Sequence, residues 1–88
     1  MKNYFTIEEL SKSETAELYN IDNTPSDEII ANMSELIIFL NKIREAWGSA
    51  ILVTSGYRCE ELNKKVGGSQ TSVHKIGYAV DIIPKNGN

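Results

Sequence analysis

Between Ile29 and Trp47 the apolar residues Ile29, Met33, Leu36, Ile37, Leu40, Ile43 and Trp47 recur at steps of three and four, which collects them on one face of an α-helix. Asn32, Glu35, Asn41, Lys42 and Arg44 break up the rest of the segment, so it falls far short of the roughly 20 apolar residues that a membrane span needs. A long amphipathic helix is therefore the scaffold, with its Met and Trp serving as core packing. Thr24-Pro25-Ser26-Asp27 supplies a start: a capping hydroxyl, proline at the first helical position and an acid near the positive helix end. Gly48 supplies the stop. With 88 residues the chain makes one domain with a thin core, since a chain of this size buries only about 60% of its unfolded surface.

The remaining elements are short. Thr6 and Glu9 fit a capping box that opens a helix over Ile7 to about Ser11, and Ser13 caps a second over Glu14 to Tyr19. Asn20 to Asn23 reads as a polar connection, and this opening part wraps the scaffold without contributing a site. After Ala50, the β-branched run Ile51 to Thr54 predicts a buried strand, Glu60 to Val66 a short helix, and Gly67 to Ser72 a loop. Gly77 to Ile83 alternates as a second strand, with Tyr78, Val80 and Ile82 on one face and Ala79, Asp81 and Ile83 on the other. The class is α+β, with N-terminal helices packed on a small antiparallel sheet. Two strands are too few for an independently stable sheet, and Pro84 to Asn88 reads as a turn leading onward. The expectation is a single domain over residues 1–88 that lacks its C-terminal part.

Charge and cysteine content narrow the function classes. The net charge is −3 and the basic residues are scattered among acids, which argues against nucleic-acid binding. Cys59 is alone, so no disulfide forms within the chain, and a small half-buried thiol is its expected role. Glu8 and Glu9 arrive before an apolar run of signal-peptide length, giving an expectation of synthesis in the cytoplasm and no membrane partner.

Asp81 stands out as an acid in a run of Val and Ile. Burying a carboxylate costs on the order of several kcal/mol unless a cation or several donors meet it. His74, the single histidine, lies seven residues earlier in a loop entering that strand. Imidazole and carboxylate are both zinc ligands, and Gly77 and Ala79 between them are small enough for close backbone approach. By themselves the two residues fit a solvated His and a hydrogen-bonded Asp better than a metal site, since such a pair arises often by chance.

The stretch Ser72-Val73-His74-Lys75-Ile76-Gly77-Tyr78-Ala79-Val80-Asp81 resembles the SxHxxGxAxD signature of the D-alanyl-D-alanine carboxypeptidase family of zinc peptidases. That family includes vancomycin-resistance dipeptidases and many phage endolysins, and shares its fold with hedgehog signalling domains. Thr54-Ser55-Gly56-Tyr57-Arg58 followed by Leu62-Asn63 is similar to the family's second motif. Phe5-Thr6, the Ile21 to Pro25 turn and the long helix resemble the compact type found in phage and gut-bacterial genomes, so the resemblance spans nearly the whole chain.

The resemblance implies a hedgehog/DD-peptidase-like fold with His74 and Asp81 as the first two ligands of one zinc ion. It gives Arg58 the catalytic role of facing the carbonyl oxygen that gains negative charge. Ser72 and Gln70 would contact substrate or orient the loop, the alternative being loop hydrogen bonding alone; for Arg58 the alternative is a surface ion pair with Glu60 or Glu61. The implied activity is metal-assisted hydrolysis of D-Ala-D-Ala-type bonds in a peptidoglycan stem peptide, reached after release by phage lysis if the protein is of that kind. Family members carry a third ligand, a histidine, and a catalytic acid downstream of the aspartate, whereas no His, Asp or Glu follows Asp81 here. Three expectations follow: an incomplete zinc carboxypeptidase with little activity alone, a noncatalytic wall-binding or partner-binding module of the same fold, or a homo-oligomer in which another chain completes the site or covers the sheet edge.

Overall fold

Short hydroxyl side chains start each of the first three helices in the computed structural model, which describes residues 3–85. Thr6 Oγ1 accepts from the Glu9 amide at 3.1 Å and opens α1, Ile7–Ser11; Ser13 Oγ accepts from Ala16 at 3.1 Å and opens α2, Glu14–Leu18. The scaffold helix α3 runs Asp27–Trp47 from a Ser26 cap, whose Oγ accepts from Ile29 at 3.4 Å. It thus starts two residues later than Thr24-Pro25 implied. The Thr24 amide is already bonded to Asp22 Oδ1 at 3.0 Å, so Thr24 closes the preceding Asx turn instead of capping. At the far end Gly48 takes the left-handed conformation with φ 80° and donates to Arg44 O, as the stop signal predicted.

Met33, Ile37 and Leu40 of α3 bury themselves against Phe5 and Leu10, and Ile51, Val53, Val80 and Ile82 pack on this cluster from the sheet. Each fully buried side chain of this size contributes about 1.5–3 kcal/mol. Trp47 departs from its expected core role: it is half exposed, lining a shallow apolar cleft with Ile43 and Ile82. A second cluster joins Ala16 and Ile21 to Leu62 of α4, Glu60–Lys65, with Cys59 half-buried beside it.

The sheet consists of β1, Ile51–Ser55, antiparallel to β2, Asp81–Pro84, in the register Leu52↔Ile83, Val53↔Ile82 and Ser55↔Asp81. Ile51, Val53 and Ile82 face α3, whereas Leu52 and Ile83 are exposed on the opposite face, so β1 is half-buried and not the buried strand its composition suggested. The second strand is also shorter than the predicted Gly77 to Ile83. Val73–Ile76 forms a 3-10 turn, Gly77 has φ 83° and the Tyr78 amide returns to Val73 O at 3.2 Å; ladder pairing begins only at Asp81, opposite the last residue of β1. Val80 and Ile82 still face the core, while Asp81 and Ile83 face outward.

Helices on one side of a small antiparallel sheet make an α+β fold. The turn expected from Pro84 to Asn88 lies mostly outside the described residues, within which Lys85 donates to Ala50 O. No helix among the described residues is long and apolar enough to cross a membrane.

Candidate active site

The segment that leaves β1 passes close against α1 at Gly56. Tyr57 donates its amide to Leu10 O at 2.7 Å, and a Cβ at position 56 would run into that same carbonyl group, so only glycine lets the chain pass so close to α1. The Gly56 carbonyl oxygen is directed to the 3-10 turn, where His74 Nδ1 donates to it at 2.8 Å. A carbonyl oxygen can only accept, so Nδ1 carries the proton, and in the neutral form of the ring that leaves the lone pair on Nε2.

His74 Nε2 stands 3.6 Å from Asp81 Oδ2. That is too long for a good hydrogen bond, and it leaves two electron-pair donors facing each other across a gap. Two nitrogen and oxygen ligands of one tetrahedral zinc ion lie about 3.4 Å apart, given bond lengths near 2.0–2.2 Å. The pair therefore has the donor types and spacing that zinc accepts. The imidazole is well covered at 12% exposure, while the Asp81 side chain is 65% exposed. The aspartate is thus not the buried carboxylate its neighbours in sequence suggested: it lies on the outward face of β2 with Ile83.

Arg58 is tied to the same place. Its amide donates to His74 O at 3.1 Å, and Nη2 donates to Ser72 Oγ at 3.4 Å. Its Nε is buried without a partner among the described residues. The alternative of an ion pair with Glu60 or Glu61 is not seen; Glu60 Oε2 instead pairs with Lys75 Nζ at 2.6 Å. Ser72 Oγ also accepts from the His74 amide at 3.2 Å, capping the 3-10 turn. Gln70 stands apart: its main-chain oxygen accepts from Lys75 Nζ at 2.9 Å, and no described bond links its exposed side chain to the others. Arg58 and Asp81 both line an open cavity of about 730 Å³ between the sheet end and the α1–α2 junction, with Lys12 and Glu14 on the opposite wall.

Comparison with protein families matched residues 3–88 to Peptidase M15. The chain belongs to the peptidase M15 family. Peptidases of this family are in general zinc-dependent hydrolases. No curated protein and no solved structure matched the chain. Among the described residues of this M15 chain, no group of three or more His, Cys, Asp or Glu side chains is arranged to hold a metal ion. His74 and Asp81 form a pair.

Two buried asparagines to which the sequence assigned no role also brace the candidate site. Asn63 is 1% exposed and its Nδ2 donates to Ser69 O at 2.8 Å, bracing the loop before Ser72. Asn23 is 9% exposed and bonds across to the turn that carries Arg58. Leu62-Asn63 belongs to a motif and Asn23 to the Ile21 to Pro25 turn, but nothing local gives Asn23 a role, since its partners at Tyr57 and Cys59 lie more than thirty residues along the chain.

Proposed function

We propose that the chain provides His74 and Asp81 as zinc ligands and Arg58 as an electrostatic anchor in a peptidase site for D-Ala-D-Ala-terminated stem peptides of peptidoglycan. The observation that carries the reading is the pairing of His74 Nε2 with Asp81 Oδ2 at 3.6 Å while Nδ1 is held by Gly56 O. A ring nitrogen tied to a carbonyl, leaving the other free to ligate, is the usual arrangement of a metal-binding histidine. Zinc bound there supplies a Lewis acid for a scissile carbonyl and acidifies water.

The protein's own groups would do the rest. The Arg58 guanidinium, held through Nη2 on Ser72, would offer fixed positive charge to an acceptor oxygen entering the cavity that Arg58 lines. Because Arg58 is anchored through its amide to the residue that bears the imidazole, charge and ligand keep a constant separation. Ser72 orients both, and Gln70, exposed on the loop, would meet the substrate only from the rim.

The test is a zinc titration by calorimetry, followed by addition of a peptide ending in D-Ala-D-Ala and mass-spectrometric measurement of D-Ala release. One zinc per chain and zinc-dependent binding of the D,D-peptide, but not of its L,L counterpart, support the proposal. Absence of zinc binding at micromolar concentration overturns it. Zinc and peptide binding without hydrolysis would instead favour a binding module, and affinity that rises with protein concentration would favour completion of the site by a second copy.

A further inference from the structure

Asn23 lies in the segment between α2 and α3, well away in sequence from every residue of the candidate site. Its side chain nevertheless uses all its described hydrogen-bonding capacity on two other segments. Nδ2 donates to Ser11 O at 2.8 Å and to Tyr57 O at 3.0 Å, and Oδ1 accepts from the Cys59 amide at 2.7 Å. The amide group therefore grips the main chain immediately before and immediately after Arg58. The Arg58 amide is fixed in turn by His74 O, and Gly56, one residue before Tyr57, holds the imidazole.

We infer that Asn23 is a positioning residue for this site, holding from beneath the turn on which both Arg58 and the acceptor for His74 are mounted. The inference rests on the reading of His74 and Arg58 as site residues. Tyr57 O and Cys59 N are part-buried main-chain groups on a non-repeating segment with no sheet or helix ladder to satisfy them. A side chain carrying a donor and an acceptor at a fixed separation answers both at once, and among short side chains only asparagine offers that pair without ionising. The link to Ser11 O ties the turn to the end of α1, and the Ile21 amide, bonded to Ala16 O at 2.8 Å, ties Asn23's own segment to α2. Asn23 thus transmits the placement of the helical layer to the site, while touching neither proposed ligand.

The test compares Asn23→Ala with Asn41→Ala. Asn41 is a similarly buried asparagine, 6% exposed, that accepts from the Tyr4 amide and has no described bond to the Arg58 turn or the His74 turn. Both variants are examined below their melting temperatures by imidazole nitrogen NMR of His74 and by zinc calorimetry. Asn23→Ala is expected to move the Nδ1 and Nε2 resonances towards mixed tautomers and to weaken zinc about tenfold, the lower range for loss of an outer support. Asn41→Ala is expected to lower the melting temperature and leave both readouts at the wild-type values. Should Asn23→Ala not fold, the isosteric Asn23→Asp, which keeps the acceptor for Cys59 and loses the donor to Tyr57, replaces it with the same expected direction. Wild-type resonances and affinity in the Asn23 variant, or equal changes in both variants, overturn the inference. If wild-type protein binds no zinc, the proposed function fails separately, and the imidazole resonances alone decide the role of Asn23.

Discussion

His74 Nδ1 and the carbonyl oxygen of Gly56 lie 2.8 Å apart across eighteen positions of sequence, joining the 3-10 turn before β2 to the exit of β1. One bond therefore sets both the tautomer of the ring and the direction in which Nε2 points. Its geometry depends on the sheet register, because Ser55 pairs with Asp81 and the same ladder delivers the glycine and the carboxylate to one end.

If Nε2 is a ligand, replacing the ring matters more than disturbing its support. Loss of an outer hydrogen bond costs about 10–100-fold in metal affinity, so His74→Ala should lower zinc affinity by more than about a hundredfold. Asp81 is exposed and on a strand face, so Asp81→Asn should weaken zinc while leaving the melting temperature of the metal-free protein unchanged. Calorimetry with parallel thermal melts separates the two effects. Wild-type zinc affinity in His74→Ala would rule out the ring as a ligand.

Gly56 tests whether the close approach to α1 is structural. A Cβ there meets the backbone of Leu10, which cannot rotate away, so Gly56→Ala should cost about 3 kcal/mol, the upper range for overpacking. The same displacement pulls the acceptor from His74, so the imidazole should lose its single tautomer. Urea unfolding and imaging of the ring by nitrogen NMR read the two consequences separately.

Much of this architecture was legible in local sequence. Hydroxyl caps at Thr6 and Ser13 and the glycine after Trp47 acted as their chemistry dictates, and the apolar stripe of α3 identified Met33, Ile37 and Leu40 as core. Placement failed where a longer-range bond competed with a local preference. Thr24 was drawn into an Asx turn by Asp22, moving the cap to Ser26, and the bonds of Gly77 to His74 O and of Tyr78 to Val73 O held the start of the expected Gly77 to Ile83 strand out of the ladder. The motif residues Arg58, Ser72, His74 and Asp81 do converge, with Gln70 left on the rim. Asn23 was not legible because an asparagine in a polar connection looks like any turn residue until its partners at Tyr57 and Cys59 are brought to it.

Arg58→Lys preserves charge but removes the planar fork with which a guanidinium meets an acceptor oxygen. A hydrogen bond to a charged group is worth about 1.5–3 kcal/mol, so D,D-peptide affinity should fall about 10- to 100-fold. Zinc affinity should stay within about twofold, because no described bond runs from the guanidinium to His74 or Asp81. A fall in zinc affinity equal to that for peptide would place Arg58 among the supports of the metal pair instead of at the substrate.

The loop that carries His74 is also fastened by charge, and this fastening has a pH range. Lys75 Nζ donates to Gln70 O and pairs with Glu60 at the start of α4; the hydrogen bond from Lys75 holds the Glu60 carboxyl below the ordinary glutamate range. An acid whose folded pKa is depressed stabilises the fold above its unfolded value, and that contribution disappears as pH falls through the folded value. The Glu60 side chain is exposed to solvent, so salt should screen the effect. Thermal melts of wild type and Glu60→Gln should differ at pH 7 in low salt, converge as the medium is acidified below the ordinary glutamate range, and converge also at neutral pH in about 1 M salt. A difference that persists in acid would mean that Glu60 acts through packing, and the ion pair with Lys75 would then have no part in holding the histidine loop.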